Sequence, residues 1–257
     1  MADVTVNGIH LHVQRLGSGE GTVVFLHGLV MDNLSSWYFT IANSVALKAQ
    51  VVLFDLRGHG KSHRPASGYT VADFVTDIDG LLDALAIRGP VHLVGNSFGG
   101  LLAVSFAEVH PDKVKSMVLI DSHYATADWK FAMAESLALQ GEALNWKIAV
   151  SFRHWLGRHS ERKRTRLTDT AKKIVYGTSL VEDLERSATV SDDALRRIEC
   201  PALGLYGENS DVRAAGEHLA LQMPDFELRL FPGCTHSVLW EKTDVVRKQI
   251  AAWIAAH

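Results

Sequence analysis

The chain has 257 residues, 47% of them hydrophobic, enough for one large core, and an α/β domain of this length need not divide in two. A net charge of -3 with both signs interspersed leaves no basic footprint for nucleic acid or an anionic membrane surface, so the expected partner is a small molecule. No apolar run approaches the roughly 20 residues that span a bilayer, and the N-terminus lacks a charged-then-apolar leader pattern, so the expected location is the cytoplasm.

Residues 4–6 and 9–14, separated by Asn7-Gly8, predict an opening β-hairpin. Apolar, β-branched runs follow at 22–26, 51–54, 91–94, 114–120, 202–206 and 226–231. With helical patterns between them, they predict a mostly parallel sheet of about eight strands covered by helices on both faces. From residue 22 onward the runs are apolar at nearly every position, as strands buried on both faces must be. Residues 69–87 are amphipathic, with Val71, Phe74, Val75, Ile78, Leu82 and Leu85 on one face, and predict a core-facing helix. Strand rhythm stops after Asp121 and restarts at Pro201. The division is therefore a core of 1–121 and 200–257 with a helical cap inserted at 122–199. The basic cluster Arg158, Arg162, Lys163, Arg164 and Arg166 inside that insertion reads first as a solvated helix face.

The sharpest chemical signal is Gly95-Asn96-Ser97-Phe98-Gly99-Gly100, placed between a buried strand and a helical run. A serine lifted out of a sheet on so tight a turn needs flanking residues without a Cβ, which explains Gly95 and Gly99. A serine hydroxyl is a weak nucleophile at neutral pH and requires a base oriented by a third group. His236, in the loop after the last predicted strand, is the base, and Asp211, in the loop after the preceding one, is its orienting acid. Asp121 and Glu208 also stand at strand ends and are the rivals for that role. Two backbone amides, of Phe98 after the nucleophile and of Leu29 in His27-Gly28-Leu29, are the expected oxyanion donors. Of the aromatic residues, Trp37, Trp129 and Trp155 are the candidates for substrate contact. The 13 histidines show no metal-ligand spacing, so neither a metal nor an organic cofactor is expected. Cys200 and Cys234 read as thiols and not as a disulfide.

Taken together, the elbow, His27-Gly28, Asp55-Leu56-Arg57-Gly58-His59-Gly60-Lys61-Ser62 and the Asp211 and His236 loops resemble the α/β-hydrolase superfamily over nearly the whole chain outside the cap. The resemblance implies an α/β-hydrolase fold and makes the Asp55–Ser62 stretch a structural loop, with Asp55, Arg57, His59 and Ser62 outside the chemistry. The elbow, with Cys234-Thr235-His236 and Trp240-Glu241, is locally similar to meta-cleavage product hydrolases, which cut carbon-carbon bonds in vinylogous diketones. Leu29-Val30-Met31-Asp32-Asn33 departs from that group, which carries a Gly/Pro-rich stretch there; its cap arginine would fall at Arg153 or Arg158. The first expectation is hydrolysis of a small-molecule ester or thioester, with a carrier-bound acyl chain within range. Carbon-carbon hydrolysis is the enzymatic alternative, and a ligand-binding receptor with slow turnover is the alternative from another class.

Overall fold

A computed structural model describes residues 2–139 and 161–257. Eight strands form one sheet: β1 Ala2–Val6, β2 Ile9–Leu16, β3 Thr22–Leu26, β4 Gln50–Phe54, β5 Val91–Asn96, β6 Val114–Ile120, β7 Ala202–Gly207 and β8 Phe226–Phe231. Their spatial order is β1-β2-β4-β3-β5-β6-β7-β8. The β1/β2 and β2/β4 pairs are antiparallel and all the others parallel. Asn7 and Gly8 take positive φ of 51° and 78°, the mirror-image turn whose twist matches the flanking strands.

Each central strand alternates between two apolar layers. Val23 and Phe25 of β3 face Trp37, Val45, Ile250 and Trp253, while Val24 and Leu26 face Phe74, Leu101 and Phe106. Burial on both sides is why these strands read as unbroken apolar runs. The edge strand β8 departs from that expectation: Glu227 and Arg229 face outward, and Phe226 and Phe231 are only partly covered.

Helix α1 (Val71–Ala84) begins at a capping box in which Thr70 Oγ1 accepts from Asp73 N–H and Asp73 accepts from Thr70 N–H. It buries Val71, Phe74, Val75, Ile78 and Leu82 of the predicted stripe, while Leu85, at its C-cap, is only partly covered; it also buries Asp77, whose two oxygens accept from Arg57 Nε and Nη2 at 2.6 Å each. The amphipathic pattern gave no sign of that buried ion pair. Helix α2 (Phe98–Val109) follows the elbow and is buried almost all round.

Between β6 and β7 the described residues contain four helices: α3 Ala127–Ala138, α4 Glu161–Gly177, α5 Leu180–Arg186 and α6 Asp192–Leu195. This insertion is fastened to the start of α1 through Asp183, which accepts from Gly68 and Tyr69 N–H, and Ser187 Oγ, which accepts from Val71 N–H. Helices α7 Arg213–Gln222, α8 Val238–Glu241 and α9 Thr243–Ala256 complete the chain. Among the described residues no helix is long and apolar enough to cross a membrane.

Because β3 pairs with β4 on one side and β5 on the other, the order of strand addition reverses there. The loops leaving β3 and β5 therefore emerge side by side at the carboxyl edge, the crevice where open α/β sheets hold ligands.

Candidate active site

Ser97 sits between β5 and α2 with φ 53° and ψ -114°, a backbone conformation that is costly for a residue with a side chain. The local packing forces it. A Cβ on Gly95 would stand 2.4 Å from Gly100 N, and one on Gly99 would stand 2.1 Å from Leu26 O. Only glycine admits so close an approach of helix to sheet. Ser97 N–H donates to Ile120 O at 2.9 Å, which locks the elbow to β6.

His236 comes from the loop after β8 and places Nε2 3.1 Å from Ser97 Oγ. Its other ring nitrogen, Nδ1, lies 3.1 Å from Asp211 Oδ1, from the loop after β7. With the Nδ1 proton turned to Asp211, Nε2 is free to accept from the serine hydroxyl. The contact with His236 is the main reason the Asp211 carboxyl is held down at about 2. The loop itself is clamped by Glu241, whose carboxylate accepts from Thr235 N–H at 3.0 Å and Thr235 Oγ1 at 2.7 Å. That clamp is a physical reason for the Thr235-His236 and Trp240-Glu241 spacing.

The rival carboxylates are placed differently. Glu208 accepts from Gly233 N–H at 3.1 Å, bracing the turn ahead of His236. Asp121, fully buried, accepts from Gly207 N–H at 2.9 Å and Val238 N–H at 3.1 Å. His123, half-buried beside these groups, is a residue that the sequence reading missed. Burial pushes its pKa down to about 4, with the nearby His236 adding to the effect.

In the loop after β3, Gly28 N–H donates to Asp32 Oδ2 at 2.9 Å and Val30 N–H to His59 Nε2 at 2.7 Å. Among the described residues, Leu29 N–H is the amide of this trio that the loop leaves without an acceptor. Phe98, as the first residue of α2, likewise has no intrahelical acceptor for its N–H. His59, which the family resemblance places outside the chemistry in a structural loop, holds Val30. Its Nδ1 lies 2.8 Å from Arg57 O, and His27 in turn accepts from Leu56 N–H at 3.0 Å. The sequence signal was present, a histidine in a tight Gly-flanked loop, but its partner lies across the sheet edge.

The aromatic candidates separate. Trp129 is buried and stacks on the Phe98 ring, with centroids 6.0 Å apart, so it walls the site through Phe98. Trp37 is a correction: it is fully buried on the opposite face of the sheet, 5.0 Å from the Phe25 ring, and is core. The reason is that its helical turn folds back under β3 instead of over the crevice. Trp155, Arg153 and Arg158 lie outside the described residues. Neither cysteine is in a disulfide, and burial pushes both thiols up to about 11. Among the described residues no group of His, Cys, Asp and Glu could hold a metal ion.

Comparison with known proteins agrees with this architecture. Residues 21–197 match the family model described as alpha/beta hydrolase fold. A pimeloyl-[acyl-carrier protein] methyl ester esterase of Chromobacterium violaceum is 32% identical over 259 residues, covering 93% of this chain and 96% of the relative. A 2-(acetamidomethylene)succinate hydrolase of Mesorhizobium japonicum is 28% identical over 270 residues, covering 98% and 94%. Among solved structures, a meta-cleavage product hydrolase of Pseudomonas fluorescens superposes with a TM-score of 0.80 at 20% identity, covering 100% of this chain and 98% of that one. The chain is an enzyme, a hydrolase belonging to the alpha/beta hydrolase fold family.

Proposed function

We propose that this enzyme hydrolyses a small-molecule carboxylic ester or thioester, with Ser97 as nucleophile, His236 as general base and acid, and Asp211 orienting the imidazole. The observation that carries the reading is the continuous Ser97–His236–Asp211 relay, with 3.1 Å at each junction. Ser97 Oγ attacks the carbonyl carbon while its proton passes to His236 Nε2. The tetrahedral oxyanion is received by the amides of Leu29 and Phe98. His236 then protonates the departing alcohol or thiol, leaving the acyl group on Ser97. Water, deprotonated by His236, attacks the acyl carbon, and collapse releases the carboxylic acid and returns the proton to Ser97.

Carbon-carbon hydrolysis of a vinylogous diketone is the second reading, favoured by the Gly95–Gly100 and Cys234-Thr235-His236 motifs. The ester reading is preferred because the relative that shares 32% identity over 93% of this chain is a methyl ester esterase.

A fluorophosphonate probe tests the nucleophile: the adduct maps to Ser97 by peptide mass spectrometry and is absent from Ser97→Ala. On the best substrate of a panel of esters, thioesters, a carrier-bound methyl ester and a dienoate diketone, Ser97→Ala and His236→Ala each lower kcat by about 10⁴-fold or more. Asp211→Asn costs less, because Asp211 is 77% exposed and water screens its charge. An adduct on another residue, or none on folded protein, removes the reading. Turnover of the diketone alone shifts it to the carbon-carbon reaction.

A further inference from the structure

Asp121 ends β6 in a left-handed backbone conformation, φ 40°, with none of its surface open to solvent. Its own N–H donates to Leu205 O at 3.0 Å, which fixes its Cα against β7. The two carboxylate oxygens then divide their work. Oδ1 accepts from Gly207 N–H at 2.9 Å, where β7 passes into the loop that carries Asp211. Oδ2 accepts from Val238 N–H at 3.1 Å, at the start of α8 just beyond His236. Between these anchors the chain is jammed close: a Cβ on Gly207 would stand 2.5 Å from both Cys234 O and Thr235 O.

A neutral side chain could serve one of these amides, whereas a carboxylate serves both. The charge needs a further explanation, because a buried carboxylate without a cation is expensive. Burial raises the Asp121 carboxyl to about 6, and the first influence that opposes burial is the charge of His236. The other groups facing it are the Ser210 hydroxyl, the Tyr206 phenol and the Cys234 thiol, none of which carries positive charge. Asp211 and His123 also act on His236 electrostatically. Asp211 works largely in water; Asp121 does not.

We infer that Asp121 is a positioning residue for the Ser97–His236 pair, tying the loop of Asp211 to the loop of His236 and facing the imidazolium formed during reaction with a negative charge shielded from solvent. This rests on the reading of Ser97 and His236 as nucleophile and base. Asp211 sets the ring's tautomer, and Asp121 sets where the ring stands and supports its charge.

The test is the rate of fluorophosphonate labelling of the full chain as a function of pH, for the wild type and Asp121→Asn, with thermal unfolding alongside. Removing the carboxylate disfavours the imidazolium, so the acid limb of the labelling profile moves to lower pH by about one unit. The plateau rate falls by about tenfold or more because the ring is less well held and its charge less supported. Asp121→Ser, which leaves room for a water to serve both amides, takes the place of the Asn variant if that protein does not fold. A folded variant with the wild-type rate and an unmoved acid limb overturns the inference and leaves Asp121 a purely structural residue. Absence of any Ser97 adduct in the wild type is a different failure, that of the nucleophile assignment itself.

Discussion

At the residue scale the loop after β3 illustrates how a site holds a costly conformation. Val30 is β-branched and yet takes φ 68°, a strained geometry that persists only where neighbours over-determine it. Its N–H is fixed by His59 Nε2, and burial, reinforced by the nearby His27, lowers the His59 pKa to about 3, so this nitrogen stays an acceptor at neutral pH. His59→Phe fills the same space without accepting a hydrogen bond. The freed Val30 N–H misaims the Leu29 amide, and kcat on the best ester falls about tenfold with KM within about threefold of wild type. Steady-state kinetics on the purified variant check this; an unchanged kcat means that the loop holds its shape without His59.

At the scale of elements, the insertion is held to the core by few but well-satisfied bonds. Asp183 of α5 accepts from the backbone of Gly68 and Tyr69, and Ser179 and Arg186 also donate to it. Burial alone would raise its carboxyl pKa, but these donors outweigh burial and hold it at about 2. A depressed carboxylate stabilises the fold fully above the unfolded value, and the contribution is lost as pH falls towards about 2. Asp183→Asn turns an NH2 group towards donors and leaves buried amides unserved, at a cost of about 2 kcal/mol. Urea unfolding measures that loss, and limited proteolysis should place the new cuts within 122–199. Cuts confined to the core would mean that the insertion is anchored elsewhere.

Across the whole molecule, acid sensitivity follows from which ionisable groups the core has swallowed. Burial lowers His59 to about 3 and His92 and His123 to about 4, from 6.5. For each, the unfolded chain binds a proton that the folded state refuses, so the stabilisation is complete above 6.5 and is lost as pH falls through that window. Asp121 acts in the opposite sense: raised from 3.8 to about 6, it weakens the fold as pH rises between those values. Three imidazoles against one carboxyl give a net loss on acidification. The urea midpoint should therefore fall steadily between about pH 7 and about pH 5. A flat or rising midpoint would show that these histidines gain protons without leaving the core.

The eight strands, the Asn7-Gly8 turn and the elbow were legible in the sequence because each rests on local physics: unbroken apolar runs for strands buried on both faces, and positions where a Cβ has no room. The same local rules put Asp211 first but left Asp121 and Glu208 as rivals, since all three follow strands in similar settings, and they did not tell that Trp37 would turn under the sheet while Trp129 packs against Phe98. Those distinctions depend on partners far away in the chain. His236 meets Ser97 across 139 residues, and Asp121 reaches Val238 across 117. Periodicity and turn chemistry act over a few residues, so they determine the elements and the tight turn at Ser97. Which carboxylate faces the imidazole, which histidine braces the loop after β3 and which tryptophan is core were decided only when the sheet brought separate strand ends to one edge.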